Sequence, residues 1–355
     1  MRGVEIGSKI IGDGHPTYVI AEAGVNHLGS VDSALELITK AKEAGADAIK
    51  FQTYEAEKLT LPDAPRFWDW EGEEDPNGSQ FDSYSHLDKM DREGYEIMKR
   101  KCDEIGIEFL STPFDKESVD MLDEIGVRAF KIASSDITNH PLLSYVAKKD
   151  KPILLSTGAS NYQEINDAVE IIHVAGNRGL IILHCILSYP TKYEDANLGM
   201  ISFLRDKFPW YPIGFSDHTM GILVPPLAVA FGACVVEKHY TLDKNLPLSA
   251  DHWLSVDPEE LKEMIENIRF AEKVRGEYNK GIVKSEVRAR EYARRKIVAC
   301  VPIKMGEKFT GENLTAKRPG YDGIPPNEMY RFLGKKAGRN LEKDESIGYD
   351  DILRC

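Results

Sequence analysis

Short apolar runs recur through the first two thirds of the chain, and nearly every one stops at a polar or charged residue. Eight of them read as β-strands: residues 17–24, 48–53, 107–114, 129–136, 152–158, 180–187, 212–219 and 234–241. Between them the apolar positions switch to helical spacing, as in 32–43, where Ala34, Leu35, Ile38 and Ala41 share a face. Ser30 is placed to cap that helix and Gly45 to end it. Further helical stretches fall at about 92–105, 116–125, 140–148, 162–174, 199–208, 221–232 and 257–275. Eight strands alternating with helices predict a closed (β/α)8 TIM barrel. An open doubly wound sheet is the runner-up, but it usually has fewer strands and a glycine fingerprint after the first. Gly24-Val-Asn-His-Leu-Gly29 lacks that spacing.

Alternation along a strand decides which side chains share a face. In the seventh strand Gly214, Ser216 and His218 share one; in the eighth, Val235, Glu237 and His239 share the corresponding one, and Lys238 points away. Glu22, Lys50 with Gln52, Thr112, Lys131 with Ser134, and Ser156 end the other strands. In a barrel all of these meet at the C-terminal rim, where active sites of the fold lie. One or two such residues would be strand caps; this many on one rim point to an enzyme.

Two segments fall outside the repeat. The stretch between Tyr54 and Met90 is acidic and aromatic, with Arg66-Phe-Trp68-Asp-Trp70 and Phe81-Asp-Ser-Tyr84, and reads as a lid or a subunit contact. After Gly276 the composition shifts: Lys284 to Arg295 is an arginine-rich linker, and a short, β-like, turn-rich tail follows. Met305 to Leu314 and Lys343 to Ile352 repeat weakly at an offset of 38 residues. The expected division is a barrel over 1–280, a linker over 281–295 and a small β-rich domain over 296–355, marginal in size alone.

Composition narrows the function classes. A net charge of −13 argues against nucleic-acid or anionic-membrane partners, so an anionic substrate needs a local cluster of lysines. No apolar run follows Met1-Arg2-Gly3, and the nearly apolar stretch 224–236 is too short to span a bilayer and contains Pro225-Pro226. Cys102, Cys185, Cys234, Cys300 and Cys355 show no paired spacing and read as reduced thiols of a cytoplasmic protein.

Lys50 and Lys131, with hydroxyls from Thr112, Ser134, Ser156 and Ser216, suit a small phosphorylated carboxylate: the lysines supply charge, the hydroxyls directional bonds. His218 and His239 are either strand caps or two ligands of a divalent ion with open positions, which would act as a Lewis acid. Glu22, placed across the barrel from them, is the candidate general acid/base, with an ion pair to Lys50 as the competing or coexisting reading.

Short motifs stand out along the chain. They are Ala21-Glu22-Ala-Gly-Val-Asn-His27-Leu-Gly29, Lys50-Phe-Gln52-Thr53, Ser111-Thr112-Pro113-Phe114, Lys131-Ile-Ala-Ser134, Leu155-Ser156-Thr-Gly158 and Ser188-Tyr189-Pro190-Thr191. Gly214-Phe-Ser216-Asp217-His218-Thr219, Glu237-Lys-His239-Tyr-Thr241 and Lys317-Arg318-Pro319-Gly320 complete the set. In this order, over nearly the whole chain, they resemble the sialic acid synthase family. The resemblance implies condensation of phosphoenolpyruvate with an open-chain N-acylated hexosamine, N-acetylmannosamine or a 2,4-diacetamido-trideoxyhexose. The product is a nine-carbon 3-deoxy-2-keto acid.

Carried over, Lys50, Thr112, Lys131, Ser134, Ser156 and Ser216 would hold phosphoenolpyruvate, and Glu22 would serve the proton or water step. Gln52, Tyr189, Asp251 and Arg318 would hold the sugar. His218 and His239 would bind Mn2+, with Mg2+ or Co2+ as substitutes. The tail resembles the antifreeze-like (SAF, β-clip) domain, which in the family caps the partner's barrel in a domain-swapped homodimer; Arg318 would reach the sugar's N-acyl group from the other chain. Where the family often carries a polar pair after His184-Cys185, Ile186-Leu187 stand here, so that phosphoenolpyruvate contact is lost or passes to Ser188. Pro247-Leu-Ser-Ala-Asp251 is one residue longer than the family's usual loop, with Asp243 a weaker substitute for Asp251. The alternatives are a related synthase making a seven- or eight-carbon keto acid, and a non-catalytic sugar-binding protein.

Overall fold

A computed structural model describes residues 3–68, 78–87, 89–246, 250–277, 279–318 and 322–353. Asp69-Trp70 of the aromatic insertion, residues 247–249 of the long loop, Pro319-Gly320 and Cys355 lie outside the described residues. The chain divides into two compact units, Met1–Gly276 and Glu277–Cys355.

The first unit opens with a hairpin of β1 (Val4–Ile6) and β2 (Lys9–Ile11), then eight parallel strands. These are β3 (Tyr18–Gly24), β4 (Ala48–Thr53), β5 (Glu108–Pro113), β6 (Phe130–Ile132), β7 (Ile153–Ser156), β8 (Leu180–Cys185), β9 (Ile213–Asp217) and β10 (Val235–His239). They pair in the order β5-β4-β3-β10-β9-β8-β7-β6, so the last strand returns to the first and the sheet curls into a nearly closed barrel. Both faces of the sheet are covered, which is why its strands read as continuous apolar runs. Outward residues such as Val19, Ile49, Phe109, Ile182 and Val236 pack under the helices, among them α1 (Val31–Ala44). Ser30 caps α1, accepting from the Ser33 N–H at 3.2 Å, and Gly45 ends it in the left-handed region at φ 96°.

Inward residues at the opposite mouth (Ile20, Leu110, Leu154, Ile181, Val235) pack with Val4, Ile6 and Ile11 of the hairpin, which plugs the N-terminal end. The sequence reading missed this hairpin, since three-residue strands are too short for alternation to register. Gly214 shows how tight the interior is: a Cβ there would lie 2.6 Å from Leu183 Cδ2 and 2.8 Å from the Val235 carbonyl oxygen.

The insertion after β4 contains α2 (Ala56–Leu59) and α3 (Gln80–Leu87). The remaining helices are α4 (Arg92–Ile105), α5 (Lys116–Glu124), α6 (His140–Ala147), α7 (Tyr162–Val174), α8 (Gly199–Lys207), α9 (Val224–Ala230), α10 (Ala250–Leu254) and α11 (Pro258–Arg275). One strand is shorter than expected: β6 stops at Ile132, and Ser134 begins a 3-10 turn over Ser134–Asp136. No helix among the described residues is long and apolar enough to cross a membrane.

The second unit contains α12 (Val287–Ala293) and an antiparallel pair, β11 (Lys296–Ala299) with β12 (Leu314–Lys317). Its core gathers Ile297, Ile303, Phe309, Leu314, Phe332, Leu341 and Ile347. The repeat is built into the backbone. Ile303 and Leu341, one repeat apart, exchange both N–H···O bonds at 2.8 Å, and Phe309 and Ile347, also one repeat apart, share the core.

Candidate functional site

Strand register places the two histidines. β9 and β10 are parallel neighbours with Glu237 level with Ser216 and Lys238 level with Asp217. His239 ends β10, His218 follows the last residue of β9, and their rings lie 5.2 Å apart between centroids. His218 Nδ1 sits 2.8 Å from the Ile186 carbonyl oxygen. A carbonyl can only accept, so Nδ1 carries the proton and Nε2 presents its lone pair.

Burial lowers His218, but Cys185 Sγ, 3.8 Å from Nδ1, and the Ile186 carbonyl more than offset it and hold the imidazole above its ordinary range. The second proton so favoured sits on Nε2, and a divalent ion bound there would take its place. His239 is the reverse case: burial, with His218 adding to it, pushes it well below the ordinary range, so it is neutral. Its buried Nδ1 makes no hydrogen bond and faces Asp251 Oδ2 at 3.6 Å. Two buried imidazoles with available lone pairs fit a divalent ion. Among the described residues no group of three or more His, Cys, Asp or Glu side chains is arranged to hold one, so most of its coordination sphere would be left to substrate and solvent oxygens.

Beside them lies a buried network of alternating charge. Lys50 Nζ pairs with Glu22 Oε2 at 2.6 Å, donates to Thr112 Oγ1 at 3.0 Å and stands 3.8 Å from Glu237 Oε2. Glu237 Oε1 accepts from Lys131 Nζ at 3.1 Å and from Ser216 Oγ at 2.8 Å. Gln52 Nε2 donates to Glu22 Oε1 at 3.0 Å.

The two carboxylates diverge. Burial raises Glu22 to about 7, with Lys50 only partly opposing it and Glu237 adding to it. Burial also acts on Glu237, but Lys131 and Lys50 outweigh it and hold that carboxylate down to about 2. Burial likewise lifts Asp251 to about 6. Such a split between neighbouring groups is how acid/base roles are assigned at neutral pH.

All twelve candidates from the first unit (Glu22, Lys50, Gln52, Thr112, Lys131, Ser134, Ser156, Tyr189, Ser216, His218, His239 and Asp251) line one cavity of about 700 Å³. Ser156 Oγ is buried there with no hydrogen bond, while Ser134 Oγ accepts from the Gly158 N–H at 2.9 Å. Tyr189, joined to Pro190 by a cis peptide, stands 4.3 Å from the His218 ring. Arg318 belongs to the second unit, exposed just after β12.

Several expectations change. Glu22 does not sit across the barrel from the histidines: β3 pairs directly with β10, and Glu22 is level with His239. Its ion pair with Lys50 and its raised pKa coexist. Lys238 points away from the cavity, as alternation requires, but into a fully buried ion pair with Asp217. Ser188 is exposed with its hydroxyl on the Pro190 carbonyl and does not line the cavity, whereas Leu187 does. Glu237 was visible on the rim but had no role; its place between two lysines depends on side chains from distant strands. The described part of the insertion walls the cavity with Leu59, Phe67, Trp68, Tyr84 and Leu87. Phe67 is 6.5 Å from the Tyr189 ring and Trp68 5.8 Å from Tyr84.

The model of the NeuB family matches residues 37–280, and that of the SAF domain matches 294–353. N,N'-diacetyllegionaminic acid synthase of Legionella pneumophila is 39% identical over 98% of this chain and 97% of its own. A pseudaminic acid synthase of Campylobacter jejuni is 36% identical over 94% of this chain and 96% of its own. The crystal structure of an N-acetylneuraminic acid (sialic acid) synthetase from Leptospira borgpetersenii superposes with a TM-score of 0.73 at 37% identity, covering 82% of this chain and 96% of that one.

Proposed function

The chain belongs to the NeuB family and carries a SAF domain, and from that premise we propose that it condenses phosphoenolpyruvate with an N-acylated hexosamine and water. The products are a nine-carbon 3-deoxy-2-keto sugar acid and phosphate. The observation that carries this reading is the meeting of two buried lysines, four hydroxyls and two imidazoles in one cavity.

Lys50 and Lys131 hold the phosphate and carboxylate charges of phosphoenolpyruvate. Thr112, Ser134, Ser156 and Ser216 orient its oxygens; the free hydroxyl of Ser156 is ready to do so. His218 and His239 would hold a divalent ion, Mn2+ or in its place Mg2+ or Co2+, which when bound supplies Lewis-acid polarisation of the sugar aldehyde. Carbon 3 of phosphoenolpyruvate bonds to the aldehyde carbon, the carbon–oxygen double bond opens, and the aldehyde oxygen takes up a proton from solvent, replaced by the one that water later gives up. Water adds at carbon 2, giving its proton to the Glu22 carboxylate. The bond from carbon 2 to the phosphate oxygen then breaks as the carbon 2 hydroxyl gives up its proton to the departing phosphate, leaving the ketone.

Gln52, Tyr189 and Asp251 orient the sugar, with Arg318 reaching it from the second chain of a domain-swapped homodimer. The apolar wall of Leu59, Phe67, Trp68, Tyr84 and Leu187 supports a 2,4-diacetamido-trideoxyhexose, with methyls in place of hydroxyls, over N-acetylmannosamine.

The test is phosphate release with a panel of N-acyl hexosamines, with products identified by mass. Release should require both the amino sugar and a divalent metal. Turnover unaffected by chelator sinks the metal assignment; turnover only with phosphorylated aldoses sinks the nine-carbon reading.

Acidity gives a sharper expectation. If Glu22 takes the proton from water, kcat/KM should rise as pH increases through about 7, where its carboxyl ionises. Glu22→Gln should remove that limb and cost about 10²–10⁴-fold in rate. The same shift affects stability. The folded state holds a proton that the unfolded chain releases near its ordinary 4.5, so stability falls as pH rises from there to about 7. Urea unfolding across that window should show a shallower slope for Glu22→Gln.

A further inference from the structure

On the reverse face of the two histidine-bearing strand ends lies a second polar cluster that does not line the cavity: Asp217, Thr219 and Lys238, each 1% exposed or less. Lys238 Nζ lies 2.8 Å from Asp217 Oδ2 and also donates to the Thr219 carbonyl. Asp217 in turn accepts from the Thr219 N–H at 3.0 Å and from Thr219 Oγ1 at 3.1 Å. Strand alternation makes this arrangement unavoidable once the histidines face inward, since their neighbours must face outward.

We propose that this cluster is a positioning clamp for His218 and His239. Lys238 is the chain neighbour of His239, and it grips the residues on both sides of His218. His218 needs such a hold because β9–β10 pairing ends at Asp217 and Lys238. Past that point the Thr191 N–H donates to the His218 carbonyl at 2.9 Å, from the β8 side. The clamp fixes it from the β10 side. Stability alone does not account for the cluster, because a fully desolvated ion pair is commonly no more stabilising than apolar side chains of the same volume. Orientation of ligands from behind does account for it, as groups that hold metal-binding histidines from outside set affinity and rate. This inference rests on the metal reading of the two histidines.

The test uses the full-length protein carrying Lys238→Met together with Asp217→Leu, which removes both charges at once. Expected is a melting temperature unchanged within about 4 °C, with Mn2+ affinity, read from the free-ion spin-resonance signal, lowered about 10- to 100-fold. In turnover, kcat should fall and KM for phosphoenolpyruvate should stay within about twofold, since that site lies on the inward face. A folded double variant with wild-type Mn2+ affinity and kcat overturns the clamp.

Should the double variant not fold, Asp217→Asn decides in its place. It keeps the volume and loses the charge that holds Lys238, and at least a threefold loss of Mn2+ affinity is expected; no loss overturns the proposal. Wild-type protein that turns over without binding Mn2+ fails the metal reading instead. The clamp is then judged on kcat, which must still fall in the double variant.

Discussion

Replacing His239 with alanine should lower phosphate release by about a thousandfold while leaving phosphoenolpyruvate binding nearly intact. The size follows from the role: polarising a carbonyl contributes several kcal/mol to the transition state, and each ~1.4 kcal/mol is a factor of ten. The selectivity follows from geometry. His239 is neutral, with a buried Nδ1 lacking a hydrogen bond, whereas the lysines that would hold phosphoenolpyruvate are fixed by Glu22 and Glu237. Removing the ring therefore strips a ligand without unpairing a charge. Steady-state kinetics together with fluorescence titration of phosphoenolpyruvate would separate the two effects. A variant with full activity would show that the imidazole is a strand cap and nothing more.

Glu237→Ala should act first on the fold. It leaves Lys131 without the carboxylate 3.1 Å away and deprives Lys50 of its second acidic neighbour. Removing one partner of a buried pair typically costs about 3–5 kcal/mol, because the charge left behind has lost its water as well as its partner. Urea denaturation at neutral pH should show a loss of that size.

The pH dependence has a definite sign. Glu237 is held near 2 in the folded protein against an ordinary 4.5, so its contribution is complete above 4.5 and drains away as pH falls towards 2. The variant should therefore lose less stability than wild type over that acid range. Added phosphoenolpyruvate should raise the variant's melting temperature by more than it raises wild type's, its anionic groups standing in for the missing carboxylate. An equal shift in both proteins would place the ligand away from these lysines.

Much of this was legible in the chain. Both faces of every barrel strand are buried, so the strands stand out as apolar runs, and apart from Glu108 at the start of β5 the charged residues that interrupt them lie towards the rim. Period-two alternation then selected Ser216, His218, Glu237 and His239 for one face and set Lys238 on the other, and the register of β9 with β10 agrees. The repeat in the tail was readable because paired segments such as those around Ile303 and Leu341 need the same apolar spacing.

What alternation cannot carry is distance between residues far apart in sequence. Glu22 reads as lying far from the histidines until closure makes the first barrel strand the neighbour of the last. Glu237 has no role until Lys50 and Lys131, from β4 and β6, converge on it and separate its acidity from that of Glu22. Lys238 looks discarded by parity, yet the space between barrel and helices is buried and apolar, so it must find Asp217 there. By itself, then, the sequence determined the barrel, the rim and which side chains face the cavity, because those depend on local periodicity. Only the tertiary structure decided which charges pair, which protons are held and what grips the histidines from behind, because those depend on closure bringing separate strands within a few ångströms in a medium that screens charge poorly.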